Sequence, residues 1–206
     1  MDATGFSLFD TAIGACGIAW GEHGLVGIQL PEADEARTRA RMQRRFPGVA
    51  ELAPPPVVRA VADRIAALLR GERDDLRDIV LDMSGVPPFE CRVYECVRAI
   101  APGATLTYGE VASRLGEPGA ARAVGRALGR NPFAPIVPCH RVLAADGRSG
   151  GFSARGGVAT KLRMLQIEGA RIGAGRGCSR SSHESALPGP RGEIRSRRQG
   201  HGPQVT

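Results

Sequence analysis

A short segment that contains proline and glycine, residues 84–88, divides the chain into two stretches whose apolar residues repeat at different intervals. Before it, short apolar runs bounded by turn residues are mixed with helical patterns. After it, apolar residues recur every three or four positions, which is the interval of a helix. The sequence therefore predicts an α+β protein with two small domains, residues 1–83 and 89–170, joined by this linker.

The first domain is predicted to contain a hairpin, two helices and a returning strand. Apolar runs on either side of the turn Gly21-Glu22-His23-Gly24 are typical of paired strands. Prolines at 54–56 open the second helix, and Gly71 ends it. In chain order, the predicted elements are strands at 15–20 and 25–30, helices at 32–46 and between Pro56 and Gly71, and a strand at 78–83. This stretch shows no evident catalytic constellation.

The second domain is predicted to be mostly helical. Thr107 and Glu110 have the spacing of a capping box, in which each side chain accepts a hydrogen bond from the other residue's backbone N–H. Residues 116–119 form a tight turn between that helix and the next, which is the pattern of a helix-turn-helix motif. The predicted helices lie at 89–100, 108–115, 120–129 and 158–168.

The helix at 120–129 carries a row of basic side chains. Arg122, Arg126 and Arg130 fall on one face with no acidic partner in the sequence around them, and alanines and glycines border the row. A charged row is commonly no more than a solvated helix face. Small neighbours allow a backbone to approach a duplex closely, however, and arginine binds phosphates and enters grooves. The pattern therefore favours a helix that contacts DNA without reading base sequence.

The net charge of +7 is unevenly distributed along the chain. Residues 108–163 hold nine lysines and arginines against three acids, whereas residues 1–107 hold twelve arginines against fifteen acids. This places the basic footprint of a nucleic-acid-binding protein on the second domain. Residues 171–206 hold seven arginines and two glutamates without apolar periodicity, so we expect a disordered basic tail there.

The five cysteines are scattered and form no CxxC pair, so we expect most of them to be reduced. Cys16 and His23 could be half of a zinc site, but no second pair with ligand spacing accompanies them, and we predict no metal. No apolar run approaches the length of a membrane span, and no signal peptide is recognisable. We therefore expect a cytoplasmic protein without membrane contact.

The sharpest motif places Cys139 beside His140, after an Asn131-Pro132 pair and the basic helix. A thiol must lose its proton before it attacks carbon, and a nearby imidazole can take that proton. Neighbouring side chains point apart, so we expect a bridging water rather than a direct Cys–His pair, with a carboxylate on the far side of the ring. Glu168, at the end of the last predicted helix, is the candidate carboxylate.

Taken together, these segments resemble the O6-alkylguanine-DNA alkyltransferases, or methylated-DNA–protein-cysteine methyltransferases. The matching segments are residues 107–112, 121–125, 129–132, 136–142 and 151–153, Lys161, and Glu168-Gly169. The resemblance implies a ribonuclease-H-like first domain and a winged helix-turn-helix second domain. It also implies a monomeric DNA-repair transferase that acts once on alkylated double-stranded DNA and needs no cofactor.

The resemblance further implies roles for individual residues. Cys139 would accept the alkyl group from O6 of guanine, with O4-alkylthymine as a further candidate substrate, while His140, a water and Glu168 keep its thiolate available. The base must be flipped out, since a stacked base is beyond reach of a protein thiol. Tyr108 would push the 3′ phosphate and donate a proton to the base, and Arg122 would fill the gap in the duplex. The other implied DNA- and base-binding residues are Ala121, Arg126, Arg130, Asn131, Val142, Phe152 and Ser153.

Two other classes of protein stay open on the residues alone. A Cys/His hydrolase or redox protein would react with small substrates in the absence of DNA, and it leaves the arginine row unexplained. A module that recognises damage and recruits other repair proteins would need no nucleophile, and Cys139 argues against it.

Overall fold

The computed structural model describes residues 2–145 and 157–170 of the chain. Phe152, Ser153 and the predicted tail at 171–206 lie outside the described residues. The strands in chain order are β1 (Gly5–Phe9), β2 (Cys16–Gly21), β3 (Gly24–Gln29), β4 (Leu106–Thr107) and β5 (Val142–Leu143). The helices are α1 (Glu35–Arg45), α2 (Pro56–Leu69), α3 (Pro88–Arg98), α4 (Tyr108–Arg114), α5 (Ala121–Gly129) and α6 (Val158–Ile167), with a 3-10 turn at Cys139–Arg141.

The predicted hairpin is confirmed and belongs to a three-stranded antiparallel sheet with the order β1-β2-β3. Ile18 of β2 pairs with Ile28 of β3, and both side chains are buried. Helix α1 covers the sheet at Gly17, where a β-carbon would stand 2.6 Å from the Met42 side chain. Only glycine therefore allows α1 to pack so closely on β2.

The predicted strand at 78–83 is wrong, because only a single bridge forms there. Leu81 lies parallel to Leu25, which donates to the Val80 carbonyl and accepts from the Asp82 N–H. The residues before it form a turn in which Leu76 has a positive φ of 53°. The turn leaves too few extended residues beside β3 to make a ladder.

Helices α1 and α2 begin where their capping residues dictate. The Asp34 side chain accepts from the Arg37 N–H, so α1 begins at Glu35, three residues later than predicted. Helix α2 begins with Pro56 at its first position, where the missing N–H costs no hydrogen bond. Its buried face, Val58, Val61, Ile65 and Leu68, packs in the apolar core.

The core continues from the sheet into the helices after residue 88. Buried residues of β2 and β3, of α2 and α3, and of α4 and α5 belong to one apolar cluster. A backbone hydrogen bond of 2.8 Å from the Ile28 N–H to the Pro132 carbonyl joins the end of the sheet to the segment before the 3-10 turn. The division into domains at residues 84–88 stays a prediction, as do the ribonuclease-H-like and winged descriptions.

The second half has the predicted order of helices, and α4 and α5 pack against each other across a tight turn. The capping box is confirmed: Thr107 accepts from the Glu110 N–H at 3.1 Å, and Glu110 accepts from the Thr107 N–H at 2.6 Å. Strand β4, which ends at Thr107, pairs in parallel with β5. This two-residue pairing fixes the start of α4 beside the segment that follows Cys139.

In the part of the chain that the structure describes, no helix is both long enough and apolar enough to cross a membrane.

Candidate functional site

Asn131 organises the turn that presents Cys139. Its side-chain amide donates to the Val137 carbonyl at 2.8 Å, and its side-chain oxygen accepts from the Phe133 N–H at 2.9 Å. Two backbone segments are thereby tied to one side chain, in the position that the sequence prediction gave it. Cys139 itself begins a 3-10 turn rather than an extended strand, and its N–H donates to the Val137 carbonyl.

The Cys139 thiol lies at the edge of the core, with 6% of its surface exposed. Burial raises its pKa, because a thiolate loses hydration there. A hydrogen bond with Asn131 and the charge of Lys161 act in the opposite direction without cancelling the effect of burial. The resting group is therefore a thiol, and the site needs a base if this sulfur is to attack carbon.

His140 is completely buried, and one of its two ring nitrogens is held by a carboxylate. Nε2 lies 2.9 Å from Oε1 of Glu168, the residue predicted for this position. Burial lowers the pKa of His140, although its contact with Glu168 acts to raise it. The imidazole is therefore neutral at physiological pH.

The proton on the neutral His140 ring can be assigned from its surroundings. Glu168 is ionised and can only accept, so Nε2 carries the proton and donates it to Oε1. Nδ1 then keeps a free lone pair. It is fully buried and has no hydrogen-bond partner among residues 2–145 and 157–170. The ring adjacent to Cys139 thus holds an unused proton acceptor.

Arg141 holds the same carboxylate as His140. Its Nε lies 3.0 Å from Oε2 of Glu168, its Nη2 lies 2.8 Å from Oε1, and its Nη1 donates to the Ile100 carbonyl. Burial acts to raise the pKa of Glu168, but the hydrogen bonds from His140 and Arg141 outweigh it and hold the pKa at about 2. The Gly103 N–H adds a contact of 3.3 Å to Oε2.

Lys161 connects the predicted site residues Tyr108 and Val142. Its Nζ donates to the Val142 carbonyl at 2.6 Å and lies 5.8 Å from the centre of the Tyr108 ring, and its side chain is almost fully buried. Burial raises the pKa of Tyr108, so its hydroxyl stays protonated and can donate. Burial lowers the pKa of Lys161, whereas the nearby Cys139 raises it.

The sequence prediction missed the contributions of Arg141 and Lys161. Both lay in segments that carried the family resemblance, yet an exposed cation is the ordinary expectation for either residue type. A signal that could have found them is a cationic residue next to apolar residues in the sequence, because such a residue is a candidate for burial. Arg141, which is followed by Val142 and Leu143, is an example. Only the packing shows which carboxylate and which carbonyl they contact.

Helix α5 presents its arginines beside this site. Arg122 and Arg126 are exposed, and within the described ranges neither forms an ion pair. Arg130 does have an acidic partner, since its Nη1 lies 3.2 Å from Glu90, which corrects the prediction of an unpaired row. Glu90 lies on α3, so sequence distance hid it. Ala121 is half-buried at the start of the helix.

The Tyr108 ring lies directly against α5. A β-carbon on Gly125 would stand 3.8 Å from this ring, so the small residue allows helix and ring to meet. A cavity of about 360 Å³ also borders Cys139 and is lined by residues of β3 and α1. Its wall includes Cys139, Asn131 and three arginines, Arg41, Arg45 and Arg130. Arg41 and Arg45 come from α1, which the charge count along the sequence did not single out.

The other cysteines in the described part of the chain, Cys16, Cys91 and Cys96, take no part in this arrangement. Cys16, Cys91, Cys96 and Cys139 are free thiols, as predicted, and Cys178 lies outside the described residues. Cys16 is a buried strand residue whose pKa is raised by burial to about 12. Among residues 2–145 and 157–170, no three His, Cys, Asp or Glu side chains are grouped so that they could hold a metal.

The depressed pKa of Glu168 predicts a specific loss of stability in acid. Its ordinary value is 4.5, and the folded value is about 2. The carboxylate therefore stabilises the fold fully above pH 4.5, and this contribution is lost as the pH falls toward 2. We expect the difference in unfolding free energy between wild type and Glu168→Gln to narrow by about 2 kcal/mol from pH 6 to pH 3.

Urea titrations at several pH values measure this difference. Glu95→Gln, on the exposed face of α3, is the matched control and should differ from wild type by the same amount at each pH. A constant difference for Glu168→Gln as well would show that the carboxylate is not held as the structure indicates.

Comparisons with known proteins agree with this geometry. The family described as "6-O-methylguanine DNA methyltransferase, DNA binding domain" matches residues 88–170. The chain is 36% identical over 156 residues to a methylated-DNA–protein-cysteine methyltransferase of Methanothermobacter thermautotrophicus, which covers 76% of this chain and 80% of the relative. It is also 44% identical over 110 residues to a protein of Thermus thermophilus named "DNA base-flipping protein", across 53% of this chain and 72% of the relative.

Among solved structures, the Mycobacterium tuberculosis protein named OGT, in complex with DNA, superposes with a TM-score of 0.62 at 35% identity. The match covers 80% of this chain and 92% of that one, so the mixed α+β fold is shared over nearly the whole relative. With the Methanothermobacter relative covered over four fifths of its length, these findings establish that the chain belongs to the methylated-DNA–protein-cysteine methyltransferase family.

Proposed function

We propose that this protein repairs DNA by moving an alkyl group from O6 of guanine onto the sulfur of Cys139. The observation that carries the proposal is the buried Nδ1 of His140, a free acceptor on the residue next to a protonated thiol. The names of the relatives support the reaction class, and the mycobacterial complex supports DNA as the partner.

The proposed reaction needs one proton acceptor and one donor. The thiol proton of Cys139 passes through a water to Nδ1 of His140, whose imidazolium form is stabilised by Glu168. The thiolate attacks the alkyl carbon, the carbon–oxygen bond breaks, and its electron pair stays with the guanine. Tyr108 donates a proton to the departing base, and the proton held by His140 restores the phenol through solvent.

The thioether formed on Cys139 has no good leaving group, so each molecule would act once. No step requires a metal or an organic cofactor, because the acceptor, the donor and the nucleophile are side chains of this protein. O4-alkylthymine presents the same kind of alkyl–oxygen bond and is a second candidate substrate.

The proposed DNA contact is made by α5, as the second helix of a winged helix-turn-helix domain. This domain would follow a ribonuclease-H-like first domain along the chain. Arg122 and Arg126 are exposed and free to meet phosphates or enter the minor groove. Tyr108 lies between α5 and Lys161, where it can contact both a flipped nucleotide and the thiol side of the site. Asn131 holds the turn before Cys139, and the backbone at Val142, with Phe152 and Ser153, would contact the guanine. Such a protein is expected to work as a monomer in the cytoplasm.

The direct test is alkyl transfer from a duplex that contains O6-methylguanine. We expect mass spectrometry to find one added methyl group per protein molecule, on the peptide that contains Cys139. Cys139→Ala should bind the duplex without gaining mass, whereas Cys96→Ala, on half-buried Cys96 of α3, should be methylated like wild type. Binding without any adduct on wild type would instead favour a protein that only recognises damage, and an adduct on Cys139→Ala would refute the assignment of the nucleophile.

The two exposed arginines of α5 should differ in effect. If Arg122 occupies the space of the flipped base, Arg122→Ala slows transfer from duplex DNA by about tenfold, equivalent to ~1.4 kcal/mol. Arg126→Ala removes a phosphate contact and should have a smaller effect that vanishes at saturating DNA. Single-turnover rates with duplex and with free O6-methylguanine measure both, and the free base should react equally with all three proteins. Equal losses on duplex DNA would make Arg122 one more phosphate contact.

A further inference from the structure

Arg141 contacts the acid–base pair of the site without facing the thiol. We propose that Arg141 is a positioning residue for alkyl transfer, which binds both oxygens of Glu168 and thereby keeps His140 a neutral base with Nδ1 free. This inference rests on the proposed function, and it assigns to the motif Cys139-His140-Arg141 a third working member.

The geometry of the contact is that of a fixed clamp. Nε of Arg141 lies between the two carboxylate oxygens, 3.0 Å from Oε2 and 3.2 Å from Oε1, and Nη2 lies 2.8 Å from Oε1. The third nitrogen donates to the Ile100 carbonyl just beyond the end of α3. Arg141 is 1% exposed, so solvent salt screens this contact only weakly. Glu168 therefore has one orientation, with Oε1 toward Nε2 of His140.

The charges near His140 support the same role for Arg141. Within residues 2–145 and 157–170, the titratable or charged groups near His140 are Cys139 and Arg141 on its own turn, and Lys161 and Glu168 from α6 and its end. Glu168 is the only anion of this set while Cys139 is a thiol. If Arg141 lost its charge, the negative charge of Glu168 would no longer be balanced. It would then favour the protonated form of His140, whose Nε2 lies 2.9 Å away.

A protonated His140 would carry hydrogen on both nitrogens and could not accept the thiol proton. By balancing the charge of Glu168, Arg141 therefore prevents His140 from taking up a proton from solvent before it can accept the proton of Cys139. The expected consequence of removing the charge is a site that needs higher pH to work. A purely structural anchor would not change the pH dependence.

Arg98 supplies a matched control for the structural effect. It donates to three backbone carbonyls, those of Leu76, Arg77 and Ile79, rather than to a carboxylate. Substitution of Arg98 removes a comparable number of hydrogen bonds from an arginine outside the His140–Glu168 pair.

The experiment measures the single-turnover rate of transfer from free O6-methylguanine at pH 6 and at pH 8. The quantity compared between variants is the rate at pH 6 divided by the rate at pH 8. A ratio within one variant cancels any uniform loss of folded protein or of rate. We expect Arg141→Gln to lower this ratio by about threefold or more, because a raised pKa leaves a larger share of His140 protonated at pH 6 than at pH 8. Arg141→Lys, which keeps the charge, and Arg98→Gln should both keep the ratio of wild type.

The double variant Arg141→Gln with Glu168→Gln removes both buried charges and should return the ratio to that of wild type. It also provides a readout if Arg141→Gln alone does not fold, because neither member of the Arg141–Glu168 pair is then left as an unpaired buried charge. An unchanged ratio in Arg141→Gln, or a double variant with the low ratio, would overturn the positioning role. Absence of transfer by wild type at both pH values would instead refute the proposed function itself.

Discussion

The proposed chemistry of this protein depends on one buried carboxylate that is shared between an imidazole and a guanidinium. Glu168 accepts from Nε2 of His140 and from Arg141, and these hydrogen bonds outweigh the cost of burial, so the group stays ionised. Because it stays ionised, it fixes the tautomer of His140 and leaves Nδ1 as an acceptor beside Cys139. A buried carboxylate is stabilised when both side chains donate to it, whereas the loss of either donor would destabilise the folded protein.

The rest of the fold brings these groups together from distant parts of the chain. The pairing of β4 with β5 places the capped start of α4, and with it Tyr108, beside the segment that follows Cys139. Asn131 sets the turn before Cys139, and α6 supplies Lys161 from its first turn and Glu168 from its C-cap. The exposed arginines of α5 therefore stand next to a candidate site in which Cys139 and His140 are almost entirely buried.

Local signals in the sequence predicted the elements that depend on local chemistry. The hairpin, the capping box and the order of the helices follow from turn residues, caps and apolar intervals, and the structure agrees with them. The prediction of a strand at 78–83 was wrong because a turn at Leu76 competes with strand pairing. The prediction that Arg130 has no acidic partner was wrong because Glu90 is forty residues away in the sequence. Arg141 and Lys161 were hidden for the same reason, since burial of a cation depends on contacts across the fold. The family resemblance implied roles for Cys139, His140 and Glu168, but only the structure shows the 2.9 Å contact between His140 and Glu168.

The protonation state of His140 in the folded protein is the most direct test of the proposed proton transfer. Nitrogen-15 NMR of histidine-labelled protein distinguishes a ring protonated at Nε2 from one protonated at Nδ1 or at both nitrogens. We predict the neutral Nε2–H form from pH 7 to pH 8, with Nδ1 unprotonated. An imidazolium in this range, or a proton on Nδ1, would contradict it, because the thiol of Cys139 would then have no acceptor.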